Sequence, residues 1–237
     1  HCKRLAHEER LDSLSPVHHS RLFELQVPWT WIPPEGEPKL ILMGLHGMGQ
    51  DGDDLGRKLQ QLSQHGIGLI LPSGPYPVEI RGKSGPRQGH AWYIYTGDQP
   101  GFRLSLDRSE EDLLQLVEAI ALDSTIPDVP LHLLGFSQGG YLAGYIACRH
   151  PDIFQSCCIA SARLKHEFLE KELAQGHLPK ILFLHDKADR LTAAEPVVKS
   201  AEILTTAGAK PTIEWHDEKH AIGDHCVSIL AQWLKEF

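Results

Sequence analysis

The chain has 237 residues, of which 41% are hydrophobic, and its formal net charge is −8. This length and apolar content are sufficient for one large α/β domain. The acidic balance argues against a protein that binds nucleic acid, because no surplus of basic residues is available to neutralise phosphates. The longest apolar runs are about six residues, far short of the roughly 20 that a membrane-spanning helix needs. We therefore expect a globular protein without a transmembrane segment.

The cysteines and histidines do not form a metal-binding pattern. The chain has 5 cysteines and 15 histidines, and neither type shows the spacing of metal ligands. Cys157 and Cys158 are neighbours within an apolar run, so a strand would direct them to opposite faces as buried free thiols. Free thiols are typical of a reducing compartment, and we therefore predict a cytoplasmic protein. The missing ligand spacing predicts that the protein binds no metal.

Apolar runs and helical patterns alternate along most of the chain. Residues 1–19 are charged and rich in histidine without a clear period, which predicts an irregular or partly helical arm before a single domain over residues 20–237. Residues 21–32 predict an edge strand or hairpin. Continuous apolar runs predict strands buried on both faces at 39–45, 67–72 and 180–185. Further strands are predicted at 130–135, 155–160 and 211–216. Helices are predicted after most of these strands, so the fold class is α/β, with one doubly wound, mostly parallel sheet and helices on both faces.

One segment interrupts this alternation. Residues 73–103 are rich in glycine and proline and contain Trp92 and Tyr93, which predicts a long irregular loop inserted into the domain. A helix is then predicted from Asp107, with Ser109 and Asp112 at the spacing of a capping box. Asp53 is the predicted N-cap of an earlier helix that reaches about residue 64. Long loops of this kind are usually functional, and we predict that Trp92 and Tyr93 wall a substrate pocket; the alternative is that they only anchor the loop.

The pentapeptide Gly-Phe-Ser-Gln-Gly at residues 135–139 follows one of the predicted strands and precedes a predicted helix. A G-x-S-x-G sequence in that position is typical of the nucleophile elbow, a strained turn that exposes a serine hydroxyl. Gly135 and Gly139 are then required sterically, because side chains would collide where strand and helix cross. Ser137 is therefore the predicted nucleophile.

A serine hydroxyl needs an imidazole to accept its proton, and the imidazole needs a carboxylate to orient it. Asp186 and Asp189 both follow the strand at 180–185, and we favour Asp189 because a loop could return it to the sheet edge, whereas Asp186 would satisfy local turn amides. Among the late histidines, His216 belongs to a strand and His225 to a helix. His220 lies on the loop between them and is the predicted base.

The oxyanion that forms when Ser137 attacks a carbonyl needs preorganised donors. The backbone N–H of Gln138 is one predicted donor, because it follows the nucleophile at a helix N-terminus. The second is predicted in the glycine-rich loop after the strand at 39–45, where the N–H of Met48 is our choice.

These motifs together resemble the phospholipase/carboxylesterase family of α/β-hydrolases, which includes acyl-protein thioesterases and lysophospholipase-like esterases. The resemblance rests on His-Gly-x-Gly at residues 46–49, Gly-Phe-Ser-Gln-Gly-Gly at 135–140, His185 with Asp189, and the late His220. It implies a triad of Ser137, Asp189 and His220, an oxyanion hole at Met48 and Gln138, and cofactor-independent hydrolysis of esters or thioesters. The sequence departs from the family at two positions that are often glycine, which Asp186 and Lys219 occupy here.

The function predicted from the sequence is a serine carboxylesterase for small or medium acyl chains, with a small-molecule or lipid ester as substrate. An acyl-protein thioesterase acting on an acylated protein, or a lysophospholipase, is the alternative within enzymes. A non-catalytic binding protein with the same fold is the alternative outside them. A cysteine nucleophile is disfavoured because the elbow carries Ser137.

Overall fold

The computed structural model of the protein describes residues 26–82 and 85–237. The strands in these ranges are β1 (Trp29–Ile32), β2 (Leu40–Leu45), β3 (Ile67–Pro72), β4 (Tyr76–Gly82), β5 (Gly85–Ala91), β6 (Leu131–Phe136), β7 (Phe154–Ala160), β8 (Lys180–Asp186) and β9 (Thr212–His216). The α-helices are α1 (Gly52–Leu59), α2 (Gln99–Leu122), α3 (Gln138–Arg149), α4 (Glu170–Gln175), α5 (Ala194–Thr206) and α6 (Asp224–Leu234). Short 3-10 helices occupy Gln60–His65 and His166–Phe168.

The main sheet has the strand order β1-β3-β2-β6-β7-β8-β9. Strand β1 pairs antiparallel with β3, and every other pairing in this sheet is parallel. The predicted mostly parallel α/β sheet is therefore confirmed. Because the parallel strands share one direction, the carboxyl ends of β2, β6, β8 and β9 lie along one edge, where ligands gather in open α/β sheets.

Both faces of the sheet are covered by helices. Met43 packs in the apolar cluster that includes residues of α2, α3 and α5, whereas its neighbour Leu42 packs in the cluster that includes α1 and α6. Cys157 and Cys158 are divided between the same two clusters and are free thiols, as predicted. This alternation explains why the central strands are continuous apolar runs, since each successive residue meets a different hydrophobic layer.

The segment predicted as an irregular loop at 73–103 instead contains an antiparallel hairpin of β4 and β5. The side chains of Tyr76, Val78 and Ile80 alternate with exposed residues along β4. The hairpin lies against the loop after β2, because His90 O accepts the Gly49 N–H at 2.8 Å and the His90 N–H donates to Gln50 O at 2.9 Å. These long-range bonds stabilise a hairpin whose glycines and prolines predict irregular structure.

Two helix starts also differ from the prediction. Helix α2 begins at Gln99 rather than near Asp107, because the side chain of Asp98 caps it by accepting the Gly101 N–H. Ser109 lies inside this helix and donates to Trp92 O instead of forming a capping box. Helix α1 is capped by Asp51, not Asp53, and changes to a 3-10 helix after Leu59.

The N-terminal predictions are tested only in part. Residues 29–32 form the predicted edge strand, while the arm at 1–19 and the start of the 21–32 segment lie outside the described residues. None of the helices that the structure describes is long and apolar enough to cross a membrane.

Candidate active site

Ser137 occupies the sharp turn between β6 and α3. Its backbone φ of 52° and ψ of −114° lie in a region that residues with a side chain rarely adopt. The Ser137 N–H donates to Ala160 O at 2.9 Å, so the turn is fixed to the neighbouring strand β7. This hydrogen bond helps to hold the strained conformation, and the turn places Ser137 at the carboxyl edge of the sheet.

The glycines that flank Ser137 are required by close backbone contacts. A Cβ atom on Gly135 would lie 2.1 Å from Gly139 O, and one on Gly139 would lie 2.2 Å from Leu45 O. A Cβ on Gly140 would lie 2.7 Å from the Ala162 side chain. These separations are far below van der Waals contact, so the glycines allow α3 to cross tightly over β2 and β6 as the G-x-S-x-G sequence predicts.

The structure brings Ser137, His220 and Asp189 into one chain of hydrogen bonds. His220 Nε2 lies 2.8 Å from Ser137 Oγ, and His220 Nδ1 lies 2.7 Å from Asp189 Oδ2. Because an ionised carboxylate only accepts hydrogen bonds, Nδ1 carries the ring proton and Nε2 is left to accept the proton of the Ser137 hydroxyl. The geometry therefore suits His220 to remove a proton from Ser137.

The Asp189 carboxylate is held in place from both sides. Its side chain is 0% exposed, while Oδ1 accepts the N–H groups of Leu191 at 2.8 Å and Thr192 at 3.2 Å. Burial raises the pKa of Asp189, but the hydrogen bonds from His220, Leu191 and Thr192 outweigh it, so the pKa lies below its ordinary value. Asp189 is therefore ionised at neutral pH and can stabilise a protonated His220.

The alternative acid and the other late histidines have different partners. Asp186 accepts the N–H groups of Ala188 at 2.7 Å and Lys219 at 2.6 Å. His216 Nδ1 accepts the Glu218 N–H, and His225 lies in the first turn of α6. No hydrogen bond in the described ranges joins Asp186, His216 or His225 to Ser137 or His220.

The two predicted oxyanion donors lie on neighbouring segments. Gln138 is the first residue of α3, and Met48 lies in the loop of residues 46–50, which we call the oxyanion loop. Among the described residues neither backbone N–H donates to a protein acceptor. Gly49 has a φ of 79°, and the side chain of Ile80 packs against it, so that the β4–β5 hairpin covers one side of the oxyanion loop. Both amides are therefore available for a substrate oxygen.

The ring of His46 supports the oxyanion loop from below. His46 is fully buried, with Nδ1 2.7 Å from Gly47 O and Nε2 accepting the Gly74 N–H at 2.9 Å. Burial lowers its pKa to about 4, against a smaller opposing effect of the Gly47 carbonyl. A neutral ring with its proton on Nδ1 satisfies both bonds, so His46 has a structural role and is not a second base.

Comparison with known proteins agrees with this geometry. The model of the family described as Phospholipase/Carboxylesterase matches residues 31–237. The chain belongs to this family. The family match confirms the resemblance that the sequence motifs indicated, and the structure confirms the predicted α/β fold.

Solved structures of the same fold include several esterases. Esterase PE8 has a TM-score of 0.72 at 20% identity, with 90% of this chain and 99% of that one covered. Acyl-protein thioesterase 2 of Zea mays has a TM-score of 0.68 at 20% identity, covering 88% and 98%. A carboxylesterase of Mesorhizobium loti has a TM-score of 0.66 at 20% identity, covering 90% and 97%. At these identities the likeness establishes the α/β-hydrolase fold.

Curated relatives match a smaller part of the chain. Pimeloyl-(acyl-carrier protein) methyl ester esterases from Neisseria meningitidis serogroups C and A are each 32% identical over 77 residues, or 32% of this chain. The matched segment covers only 29% and 24% of those proteins. Together the comparisons establish membership of the Phospholipase/Carboxylesterase family and the α/β-hydrolase fold.

Trp92 and Tyr93 are placed beneath the site by contacts that the family motif does not indicate. Trp92 is 1% exposed, its Nε1 donates to His46 O at 2.8 Å, and its ring lies 4.8 Å from the His46 ring. Gln138 Oε1 accepts the Trp92 N–H and Gln138 Nε2 donates to Tyr93 O, both at 2.9 Å. These contacts support the anchoring role that the sequence left open, and substrate contact by Trp92 or Tyr93 stays a prediction.

Exposed apolar side chains occur in the segments that carry the site. Met48, Ile94, Tyr95 and Leu191 are each more than half exposed. Met48 lies in the oxyanion loop, Ile94 and Tyr95 follow the residue that Gln138 binds, and Leu191 follows Asp189 by two positions. Large exposed apolar side chains close to a reactive group are typical of a surface that receives an apolar ligand.

One group of side chains in the described residues has the composition of a metal site. The ligand atoms of His216, Glu218 and Cys226 lie within 4.8 Å of one another. Both oxygens of Glu218 already accept backbone N–H groups at the start of α6, from Gly223, His225 and Cys226. Burial raises the pKa of Glu218, but the hydrogen bonds from Cys226, His225 and Gly223 outweigh it and lower the pKa to about 2. The carboxylate is thus explained as a helix cap.

Proposed function

We propose that this protein is a serine carboxylesterase that hydrolyses carboxylic esters of small or medium acyl chains through an acyl-enzyme on Ser137. The observation that carries the proposal is the position of the His220 ring, whose Nε2 lies 2.8 Å from Ser137 Oγ while Nδ1 lies 2.7 Å from Asp189 Oδ2. A hydroxyl, an imidazole and a buried carboxylate in this order form the arrangement that activates a serine for acyl transfer.

In the acylation step, Ser137 Oγ attacks the ester carbonyl carbon as His220 Nε2 takes the hydroxyl proton. The carbonyl π electrons move to the oxygen, and the N–H groups of Met48 and Gln138 donate to the resulting oxyanion. The ionised Asp189 stabilises the imidazolium. When the tetrahedral intermediate collapses, the bond to the leaving oxygen breaks and His220 returns the proton to the departing alcohol.

Deacylation repeats these steps with water in place of the serine hydroxyl. His220 removes a proton from water, the hydroxide attacks the acyl carbon, and the same two amides hold the second oxyanion. Collapse releases the carboxylic acid and returns the proton to Ser137 Oγ. The complete cycle uses water and groups of this chain, and the chemistry calls for no cofactor.

A second candidate is a thioesterase or lysophospholipase that acts on longer acyl chains. Two observations favour it: the exposed apolar side chains of Met48, Ile94, Tyr95 and Leu191 in the segments that carry the site, and the shared fold with an acyl-protein thioesterase of Zea mays. The same residues would perform the chemistry, since a thioester differs only in its leaving group. Rates for p-nitrophenyl esters of increasing chain length, beside those for a palmitoyl thioester, distinguish the two candidates.

An organophosphonate probe tests the proposal that Ser137 is the nucleophile. We expect the wild type to be labelled at Ser137 and to hydrolyse p-nitrophenyl acetate, whereas Ser137→Ala should lose both properties without a change in its circular dichroism. Ser161→Ala is the matched control, because Ser161 also has a positive φ of 51° at a strand end but its hydroxyl has no hydrogen-bond partner in the part of the chain that the structure describes. Labelling at another residue, or wild-type turnover by Ser137→Ala, would contradict the proposal.

The same experiment separates the enzyme from a hydrolase-fold protein that only binds ligands. A binding protein has no need for a serine that reacts with phosphonates, because reversible binding does not depend on an activated nucleophile. An unlabelled wild type that still binds an acyl ligand would favour this alternative over both enzymatic candidates.

A further inference from the structure

Asp186 and Lys219 are separated by 33 positions in the chain and meet directly beside His220. Asp186 is the last residue of β8, and Lys219 lies in the loop between β9 and α6, immediately before His220. The Lys219 N–H donates to Asp186 Oδ2 at 2.6 Å, while Asp186 Oδ1 accepts the Ala188 N–H at 2.7 Å. One buried carboxylate thus joins the loop that carries Asp189 to the loop that carries His220.

The backbone of Lys219 requires such an anchor. Its φ is 59°, in the left-handed region where a residue with a Cβ atom is disfavoured. The Lys219 side chain is exposed, so side-chain packing does not hold this conformation. The direction of the peptide that enters His220 therefore depends on the contacts of the Lys219 backbone.

We infer that Asp186 is a positioning residue for His220, which holds the left-handed peptide at Lys219 so that the imidazole reaches Ser137 and Asp189 together. This inference rests on the proposed function, because it assigns Asp186 a role in the same acyl transfer. It also explains why Asp186 and Lys219 occur together at two positions that are often glycine in the family. Lys219 is tolerated in the left-handed conformation because Asp186 binds its backbone N–H.

The surroundings of Asp186 keep it able to accept both hydrogen bonds. The Ala188 N–H has the largest effect and the Lys219 N–H and His216 act in the same direction, so the pKa of Asp186 lies below its ordinary value despite burial and the nearby charge of Asp189. Glu218 binds the opposite end of the loop through the N–H groups of Gly223, His225 and Cys226. The loop is therefore fixed at its His220 end by Asp186 and at its α6 end by Glu218.

The first test measures steady-state hydrolysis of p-nitrophenyl butyrate. We expect Asp186→Ala to lower kcat by about 10–100-fold with KM within about two-fold of the wild type, because a displaced base slows the chemical steps without changing substrate binding. Asp217→Ala is the matched control, since it removes a carboxylate from the same loop whose side chain is 95% exposed. Asp217→Ala should retain kcat within about two-fold of the wild type. Lys219→Ala keeps the backbone N–H that Asp186 binds and should therefore lose much less of kcat than Asp186→Ala.

The second test uses the left-handed conformation itself. Glycine adopts a positive φ without a steric penalty, so Lys219→Gly should lessen the need for the Asp186 anchor. We expect the kcat of Asp186→Ala/Lys219→Gly to exceed that of Asp186→Ala by at least about five-fold, an energetic coupling between the two positions. If Asp186→Ala lowers kcat by the same factor in the protein with Lys219 as in the Lys219→Gly variant, the inference is overturned.

A third test needs no turnover and keeps the inference separable from the proposed function. In Ser137→Ala protein, NMR of ¹⁵N-labelled histidine should detect the His220 Nδ1 proton in its bond to Asp189, and Asp186→Ala or Asp186→Leu should weaken that signal through exchange with water. Asp186→Leu, which also lacks an acceptor, serves if Asp186→Ala fails to fold. A signal unchanged by a folded Asp186 variant would overturn the positioning role. An inactive wild type with a signal that depends on Asp186 would contradict the proposed function and leave the positioning role supported.

Discussion

Gly139 lies so close to Leu45 that a Cβ atom at position 139 would be 2.2 Å from the Leu45 carbonyl oxygen. The contact joins the first turn of α3, which follows the nucleophile, to the end of β2, from which the oxyanion loop departs. The two amides proposed to bind the oxyanion are therefore kept at a fixed separation by backbone packing.

We predict that Gly139→Ala destabilises the protein by about 2–3 kcal/mol, because the rigid backbone of β2 has to move to admit one methyl group. The same displacement separates Gln138 from Met48 and should reduce esterase activity more than stability alone explains. Urea unfolding and ester hydrolysis measure the two effects. Gly82→Ala is the control, since among the described residues a Cβ there meets only Gly85 O, at 4.0 Å. Equal stability of the two variants would contradict the packing argument.

We also predict that Asp189→Asn lowers kcat by about 10³–10⁴-fold, because an amide at this position favours the wrong tautomer of the histidine ring. The pKa of Asp189 lies below its ordinary value, so a carboxylate and not an acid is lost in this variant. Asp186→Asn should cost much less, since Asp186 has no hydrogen bond to the imidazole. A larger loss in Asp186→Asn would assign the role of the acid to Asp186.

Most of the sheet and the candidate triad could be predicted from the sequence because their signals are local. Each central parallel strand meets a hydrophobic layer on both faces, so β2 and β3 are unbroken apolar runs. The elbow has a steric signature in its glycines. His220 could be selected among the late histidines because the local sequence pattern places it in the loop after the last strand, whereas His216 lies in that strand and His225 in the following helix.

The features that were mispredicted depend on contacts between distant segments. The hairpin β4–β5 is stabilised by hydrogen bonds of His90 with the oxyanion loop, and its second strand, β5, carries no apolar pattern. The start of α2 is an exception, because it depends on a local cap, in which the Asp98 side chain accepts the Gly101 N–H, rather than on apolar periodicity. The hydrogen bond from the Trp92 N–H to Gln138 and the one from the Lys219 N–H to Asp186 join residues that are 46 and 33 positions apart, and no sequence pattern indicates either pairing.

The stability of the protein should fall as the pH decreases from 6.5 towards 4. Burial lowers the pKa of His46 and of His132 to about 4 from 6.5. Between these values the unfolded chain binds protons that the folded chain does not, so the free energy of unfolding decreases by up to about 3 kcal/mol for each histidine.

Urea unfolding at several pH values measures this dependence. His132→Asn should reduce the slope of unfolding free energy against pH by up to about 1.4 kcal/mol per pH unit, because one buried titrating ring is removed. The exposed His65 provides the control substitution, His65→Asn. A His132→Asn slope equal to that of the wild type would show that His132 takes up its proton equally in both states.

The side chain of Gln138 should matter beyond its backbone N–H. Gln138→Met keeps the length of the side chain but loses the bonds to Trp92 N and Tyr93 O, so we expect a loss of about 1–3 kcal/mol of stability and faster hydrogen exchange at residues 92–95. Phosphonate labelling of Ser137 should persist at a reduced rate. Gln88→Met on the exposed β5 strand is the control. Unchanged hydrogen exchange at residues 92–95 in Gln138→Met would show that the Gln138 side chain does not hold this segment.

Leu191 should contribute to the binding of the acyl chain. It is 78% exposed and follows Asp189 by two positions, so an apolar acyl group bound beside the triad would cover it. Partial burial of a leucine is worth about 1 kcal/mol, and Leu191→Ser should therefore raise KM about five-fold for p-nitrophenyl octanoate while leaving the KM for the acetate unchanged. Leu122→Ser is the matched control, because Leu122 is 87% exposed at the end of α2. If the two variants raise the octanoate KM equally, or neither raises it, the acyl chain lies elsewhere, and the chain-length preference has to be sought on the hairpin side of the oxyanion loop.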